Sequence, residues 1–174
     1  MTANFTTTIT VDTTPRKAFD AINDVTGWWG RITGSTAAVG DEFVYLVPGL
    51  HYSGFRVTEI VAERHIAWLV TGSYLDPTID KQEWTGTTVR FGIDEIDGTT
   101  QITFTHEGLK PEHECYELCS NAWSMFVNGS LKAFIETGEG KPYSFDGDEA
   151  LTAADHAELH DQAAEATALA SNAS

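Results

Sequence analysis

His106, His113, Cys115 and Cys119 are the residues whose types and closeness in the chain could support chemistry. Imidazole and thiolate are good zinc ligands, so a metal site can be assembled from these four on paper. Their spacing matches no zinc pattern, because the cysteines share one helical face while His106 ends a strand and His113 lies in a connection. No metal is expected. Residues four apart in a helix have Cα atoms roughly 6 Å apart, within disulfide range but poorly oriented for it. The two cysteines, the only ones in the chain, therefore read as free thiols of a reducing compartment.

His106 is the leading polar candidate. Ile102, Phe104 and His106 alternate, and a period of two turns the histidine to the covered face with its apolar neighbours. In an apolar pocket its imidazole could donate to a ligand carbonyl or phenol, or take a proton, since burial moves its pKa easily. The other reading is a core histidine satisfied by a backbone carbonyl or by Tyr116. Glu83 beside Trp84, in a connection, is a candidate for the rim of a site. No Ser-His-Asp order with a nucleophile elbow, phosphate-cradling glycine loop or paired carboxylates occurs, so neither a catalytic residue nor a cofactor is expected.

The elements that must position these residues follow from periodicity. Phe5 to Val11 alternates as a strand, and Thr14-Pro15 opens a short helix with Ala18, Phe19 and Ile22 at helical spacing. Asp24 begins a second turn carrying Trp28-Trp29, and Gly30, Gly34 and Gly40 break the chain into turns. Phe43/Tyr45/Val47, Phe55/Val57, Ile66/Trp68/Val70, Val89/Phe91/Ile93 and Ile102/Phe104/His106 then alternate as strands, with Asp97-Gly98 a hairpin turn between the last two. From Glu114 to about Thr137 the pattern is helical, with a stripe of Cys115, Cys119, Ala122, Phe126, Gly129 and Ala133 flanked by Leu118, Trp123, Met125 and Phe134. Gly138 and Pro142 end it. The order is β-α-α, about six antiparallel strands, then one long helix: an α+β domain with that helix laid across one sheet face.

A length of 174 residues suits one domain, and 41% hydrophobic residues suffice for its core. The formal charge of −16 repels phosphate backbones and anionic headgroups, so nucleic-acid and membrane partners are not expected. With no apolar run long enough to span a bilayer and no leader pattern at the start, the chain reads as cytoplasmic. Residues 138–174 hold eight acids against Lys141 alone, −7 of the total. Residues 1–143 are therefore taken as the domain, and 144–174 as an acidic, Ala-rich tail, mobile or loosely helical, available to a protein partner.

The order of elements and several motifs resemble the helix-grip fold of the START-like (SRPBCC) superfamily, and within it the bacterial homologues of the activator of heat shock protein 90 ATPase. The motifs are Thr14-Pro15 with Phe19, Trp28-Trp29, Gly40 before Phe43, Gly54 with Val57 and Glu59, Ile66 with Trp68, Asp80-Lys81-Gln82-Glu83-Trp84 with Gly86-Thr87, and Thr103-Phe104-Thr105-His106 with Gly108. The run from Cys115 through Trp123, Ser130-Leu131 and Thr137-Gly138 completes them. The resemblance implies a curved antiparallel sheet, β-α-α-β6-α in order, wrapped around the C-terminal helix, with a space between them that often holds a small hydrophobic molecule. Phe43, Tyr45, Phe55, Trp68, Trp84, Phe91, Phe104, His106, Cys119, Trp123 and Phe126 are the residues expected to line it. The alternative is that these aromatics fill a solid core. Other branches of the superfamily include cyclases and hydroxylase components, but the leading expectation is non-enzymatic ligand binding, against a protein-interaction module such as a chaperone helper or stress-response adaptor.

Overall fold

The computed structural model describes residues 4–30, 32–47, 51–75 and 84–142. Glu83 and the tail from residue 143 onward, both named above, lie outside these residues.

Strand β1 (Phe5–Val11) leads into helix α1 (Pro15–Asn23) and the short α2 (Val25–Trp28). Thr14 caps α1, its hydroxyl accepting from the Lys17 amide at 3.2 Å, and Pro15 opens the first turn. Six strands follow: β2 (Ile32–Gly34), β3 (Glu42–Val47), β4 (His51–Val61), β5 (His65–Leu75), β6 (Thr88–Ile96) and β7 (Thr99–Glu107). The described residues form one antiparallel sheet in the order β1-β7-β6-β5-β4-β3-β2, closed on its far side by β1 returning to pair with β7. The strand β2 falls where the glycines suggested only turns; it is three residues long, too short to show alternation.

The sheet's curvature has a local cause. Between β4 and β5 the register slips twice, once between Gly54 and Phe55 and once between Val57 and Glu59. Such bulges bend a strand and increase its twist. The first also re-aims β5: Phe55 pairs with Val70 while Ser53 pairs with Ser73, so both serines join the buried face alongside Trp68 and Val70.

The concave face holds the long helix, made of α3 (Tyr116–Ser124), a π-helical stretch (Met125–Leu131) and α4 (Lys132–Thr137). Cys115, Cys119, Trp123, Val127 and Leu131 are all buried at steps of four. In a pure α-helix each four-residue step overshoots a turn by about 40°, and such a stripe would spiral off the sheet. The wider π turn takes back that drift. Part of the expected stripe faces outward: Gly129 is exposed and Ala122 and Ala133 are half-buried, whereas Trp123, placed on the flank of that stripe, points inward four residues after Cys119 within α3. Leu118 and Met125 face solvent. Gly138 ends α4 with a φ of 84°, as its spacing suggested, and the Lys141 amide then donates to Ser130 Oγ, which itself donates to the Trp28 carbonyl, each at 2.6 Å.

Candidate functional site

All eleven residues expected to line a ligand space are buried between sheet and helix. The structure joins most of them ring to ring. Phe43 stacks on Phe55 at 4.9 Å, and both meet Trp68 edge to face. Trp68 then leads through Phe91 and Phe104 to Trp123, with centroid separations of 5.1, 5.2 and 4.7 Å. Cys119 and Phe126 are buried beside this network in the same core.

Trp29 is the residue the lining set lacked. It stacks on Tyr45 at 4.1 Å and 10°, and also meets Trp123 and Phe55. The Trp28-Trp29 pair was visible as a motif, but no periodicity in so short a helix says which ring turns inward. Trp28 takes a different place, donating its indole N–H to the Ile22 carbonyl at 3.1 Å.

At one end of the grip the interior becomes polar. His51, Ser53, Ser73, Thr87 and His106 gather there around Trp84, which is an interior residue at 4% exposure and not a rim residue, and the exposed Thr85 reaches Ser73 from outside. His51 was passed over in the sequence although its alternation with Ser53, Phe55 and Val57 places it on the covered face. Its Nε2 lies 2.5 Å from Ser53 Oγ, and its Nδ1 has no hydrogen-bond partner among the described residues. It remains half-buried, and desolvation lowers its pKa to about 4.

His106 is held on both sides. Trp123 Nε1 donates to His106 Nδ1 at 3.1 Å, and His106 Nε2 lies 2.8 Å from Thr87 Oγ1. An indole nitrogen can only donate, so Nδ1 must be unprotonated and the neutral ring carries its hydrogen on Nε2. Nε2–H then donates to Thr87, whose hydroxyl donates to the Trp84 carbonyl at 2.5 Å. These partners differ from the backbone carbonyl or Tyr116 considered from sequence. Burial, helped by the neighbouring His113, lowers the His106 pKa to about 3. With both nitrogens engaged and the cation disfavoured, the ring is a poor proton acceptor at neutral pH.

Cys115 and Cys119 are buried and neither is in a disulfide, and Trp84 Nε1 donates to Cys115 Sγ at 3.3 Å. Among the described residues no group of three His, Cys, Asp or Glu side chains is arranged to hold a metal. Among the described residues one buried donor lacks an acceptor: Trp68 Nε1, deep in the aromatic network, has no hydrogen-bond partner there. Among the described residues, no helix is long and apolar enough to cross a membrane.

No family model matches the chain, and no curated protein sequence matches it. Solved structures do. The Aha1 dimer from Colwellia psychrerythraea is similar with a TM-score of 0.64 at 24% identity, over 79% of this chain and 99% of that one. DynU16, from the dynemicin biosynthetic locus, gives 0.59 at 15% identity over 79% of this chain, which spans about half (49%) of DynU16. CalU16 from Micromonospora echinospora gives 0.55 at 11% identity, over 75% of this chain and 73% of that one. Element order, bulged sheet and structural likeness converge: the chain has a helix-grip fold, the fold that the resemblance of its motifs implies.

Proposed function

We propose that this protein binds a small hydrophobic or aromatic molecule between the sheet and the long helix, in the cytoplasm, without transforming it. The observation that carries this reading is the orphaned Trp68 N–H. A buried donor without an acceptor costs about 1–3 kcal/mol. The rings packed around it offer only a weak π acceptor. A ligand carbonyl or ether oxygen would satisfy it, while the surrounding rings supply apolar area worth roughly 25 cal/mol per Å² to the rest of the molecule. The engaged nitrogens of His106 favour binding over catalysis. Native mass spectrometry of the protein purified from its own host tests the reading: a retained small molecule of defined mass supports it. Failure to retain any, together with no melting-temperature shift across a panel of hydrophobic ligands, overturns it.

A protein-interaction role is favoured by a separate observation: Leu118 and Met125 are exposed on the outer face of the long helix, and the similar Colwellia protein is a dimer. Pull-down from host extract with and without residues 144–174 discriminates the two readings. A specific partner lost with the tail supports this one.

A further inference from the structure

We propose that the polar end of the grip is a binding site for an uncharged, flat aromatic molecule bearing one N–H or O–H donor, and that Trp84 occupies this site with its own indole until such a molecule displaces it. This inference rests on the ligand-binding reading above and names the chemistry of its ligand.

Trp84 belongs to no strand or helix. It precedes β6 in a turn closed by the Thr87 amide donating to the Trp84 carbonyl at 3.0 Å, so no strand register fixes where its side chain goes. The indole nevertheless enters the gap between sheet and helix and meets walls from three separate elements. His51 of β4 and His106 of β7 meet it edge to face, at 5.1 Å and 80° and at 4.8 Å and 84°. Trp123 of α3 lies parallel to it at 5.6 Å and 12°. One parallel wall and two perpendicular ones make a slot for a planar ring, since stacked and edge-to-face geometries are those aromatic pairs prefer.

The hydrogen bonding of the slot is mismatched to its occupant. The indole N–H goes to the Cys115 sulfur at 3.3 Å, a weak acceptor. Close by, His51 Nδ1 is without a partner among the described residues. The Ser53 hydroxyl can accept from or donate to His51 Nε2; the site as proposed uses the neutral tautomer whose Nε2–H donates to Ser53, in which Nδ1 is an acceptor. A ligand hydroxyl or N–H aimed at His51 would therefore gain a stronger bond than the tryptophan makes, while its ring keeps the same three walls. Among the described residues the walls are His51, His106 and Trp123, none of them a carboxylate or ammonium group, and both imidazoles are held neutral by burial, so an ionised ligand would lose its hydration without a counter-charge from these walls.

The test uses the full-length, 15N-labelled protein and 2-naphthol as the probe, with 2-naphthoate as its charged counterpart. The Trp84 indole N–H signal is identified by its loss in Trp84→Phe. On titration of the wild type with 2-naphthol it should shift progressively, and calorimetry should show Trp84→Ala binding 2-naphthol at least tenfold tighter than the wild type and tenfold tighter than 2-naphthoate. Should Trp84→Ala fail to fold, Trp84→Leu carries the same comparison. Trp28→Ala is the control for an ordinary cavity left by a buried indole. An equal gain in Trp28→Ala overturns the proposal, as does equal binding of naphthoate, or a Trp84 signal that stays put while other signals move. That last result leaves the general ligand-binding reading standing, as does a host ligand retained equally by wild type and Trp84→Ala. No response of any signal to any probe, with no retained host ligand, removes both.

Discussion

His106 shows how a single buried residue sets the acid response of the molecule. Protonating Nδ1 would turn an acceptor into a second donor facing the Trp123 N–H, and burial penalises the charge as well. Its folded pKa of about 3, and that of about 4 for His51, both lie below the ordinary value of 6.5. Between those values the unfolded chain binds more protons than the folded one, so the stabilisation is complete above about pH 6.5 and is lost as the pH falls toward 4 and 3. Urea unfolding at pH 6.5, 5.5 and 4.5 should show this decline. In His106→Gln the slope should flatten by up to one proton, about 1.4 kcal/mol per pH unit, whatever the absolute cost of the substitution. An unaltered slope would show that His106 titrates normally in the folded state. Trp123 is the other half of this contact. Trp123→Ala should cost roughly 3–5 kcal/mol in the same assay, and Trp123→Phe, which keeps a ring but leaves Nδ1 unpaired, about 1–3 kcal/mol. A loss below about 1 kcal/mol for the alanine variant would mean that the ring contributes little packing.

At the scale of elements, the π-helical stretch sets what the long helix presents to each side. Gly129 lies there on the exposed face, and a Cβ added to it meets nothing within 4 Å. Gly129→Ala should therefore stabilise the protein by about 1 kcal/mol, seen as a higher urea midpoint with unchanged slope. Gly34 is the opposite case: φ is 116° and a Cβ would sit 2.2 Å from the Glu42 carbonyl oxygen, so Gly34→Ala should destabilise. This contrast also marks what a sequence discloses. The strands carrying Phe43, Phe55, Trp68, Phe91 and Phe104 were legible because alternation is imposed by the sheet itself, and the long helix because its caps and apolar spacing are local. The inward turn of Trp123 was legible too, because it follows Cys119 by four residues within α3; the outward turn of Gly129 was not, since it lies in a π stretch with no periodic signature. The insertion of Trp84 was not either, because a side chain in a connection is placed by the walls it meets. His51 was readable from its alternation with Ser53 and Phe55, yet a histidine followed by tyrosine and serine lacks the apolar pattern that draws attention to a strand. The burial of Ser73, three residues after Val70, required knowing where the register slips.

The charge of the whole molecule is unevenly spread along the chain. Residues 138–174 carry −7 of the −16, which leaves −9 on residues 1–137. Among the described residues the sheet holds the helix, Gly138 caps it, and Lys141 is tied through Ser130 to Trp28. Between Leu151 and Ala170 the sequence offers only three leucines as large apolar residues. Ordering a residue costs roughly 1–2 kcal/mol, and so thin an apolar set offsets little of that over such a length. Truncation after Pro142 should therefore leave the melting temperature within about 2 °C of the full chain. Removing −7 should also weaken self-repulsion, so any small change at low ionic strength should be a gain and should fade in salt, as screening lengths shrink to about 3 Å at 1 M. Calorimetry of both chains at low and high salt, with a sizing column run alongside, checks each part. A drop of several degrees, or a change from dimer to monomer on truncation, would make residues 144–174 part of the fold and give the three leucines a surface to cover.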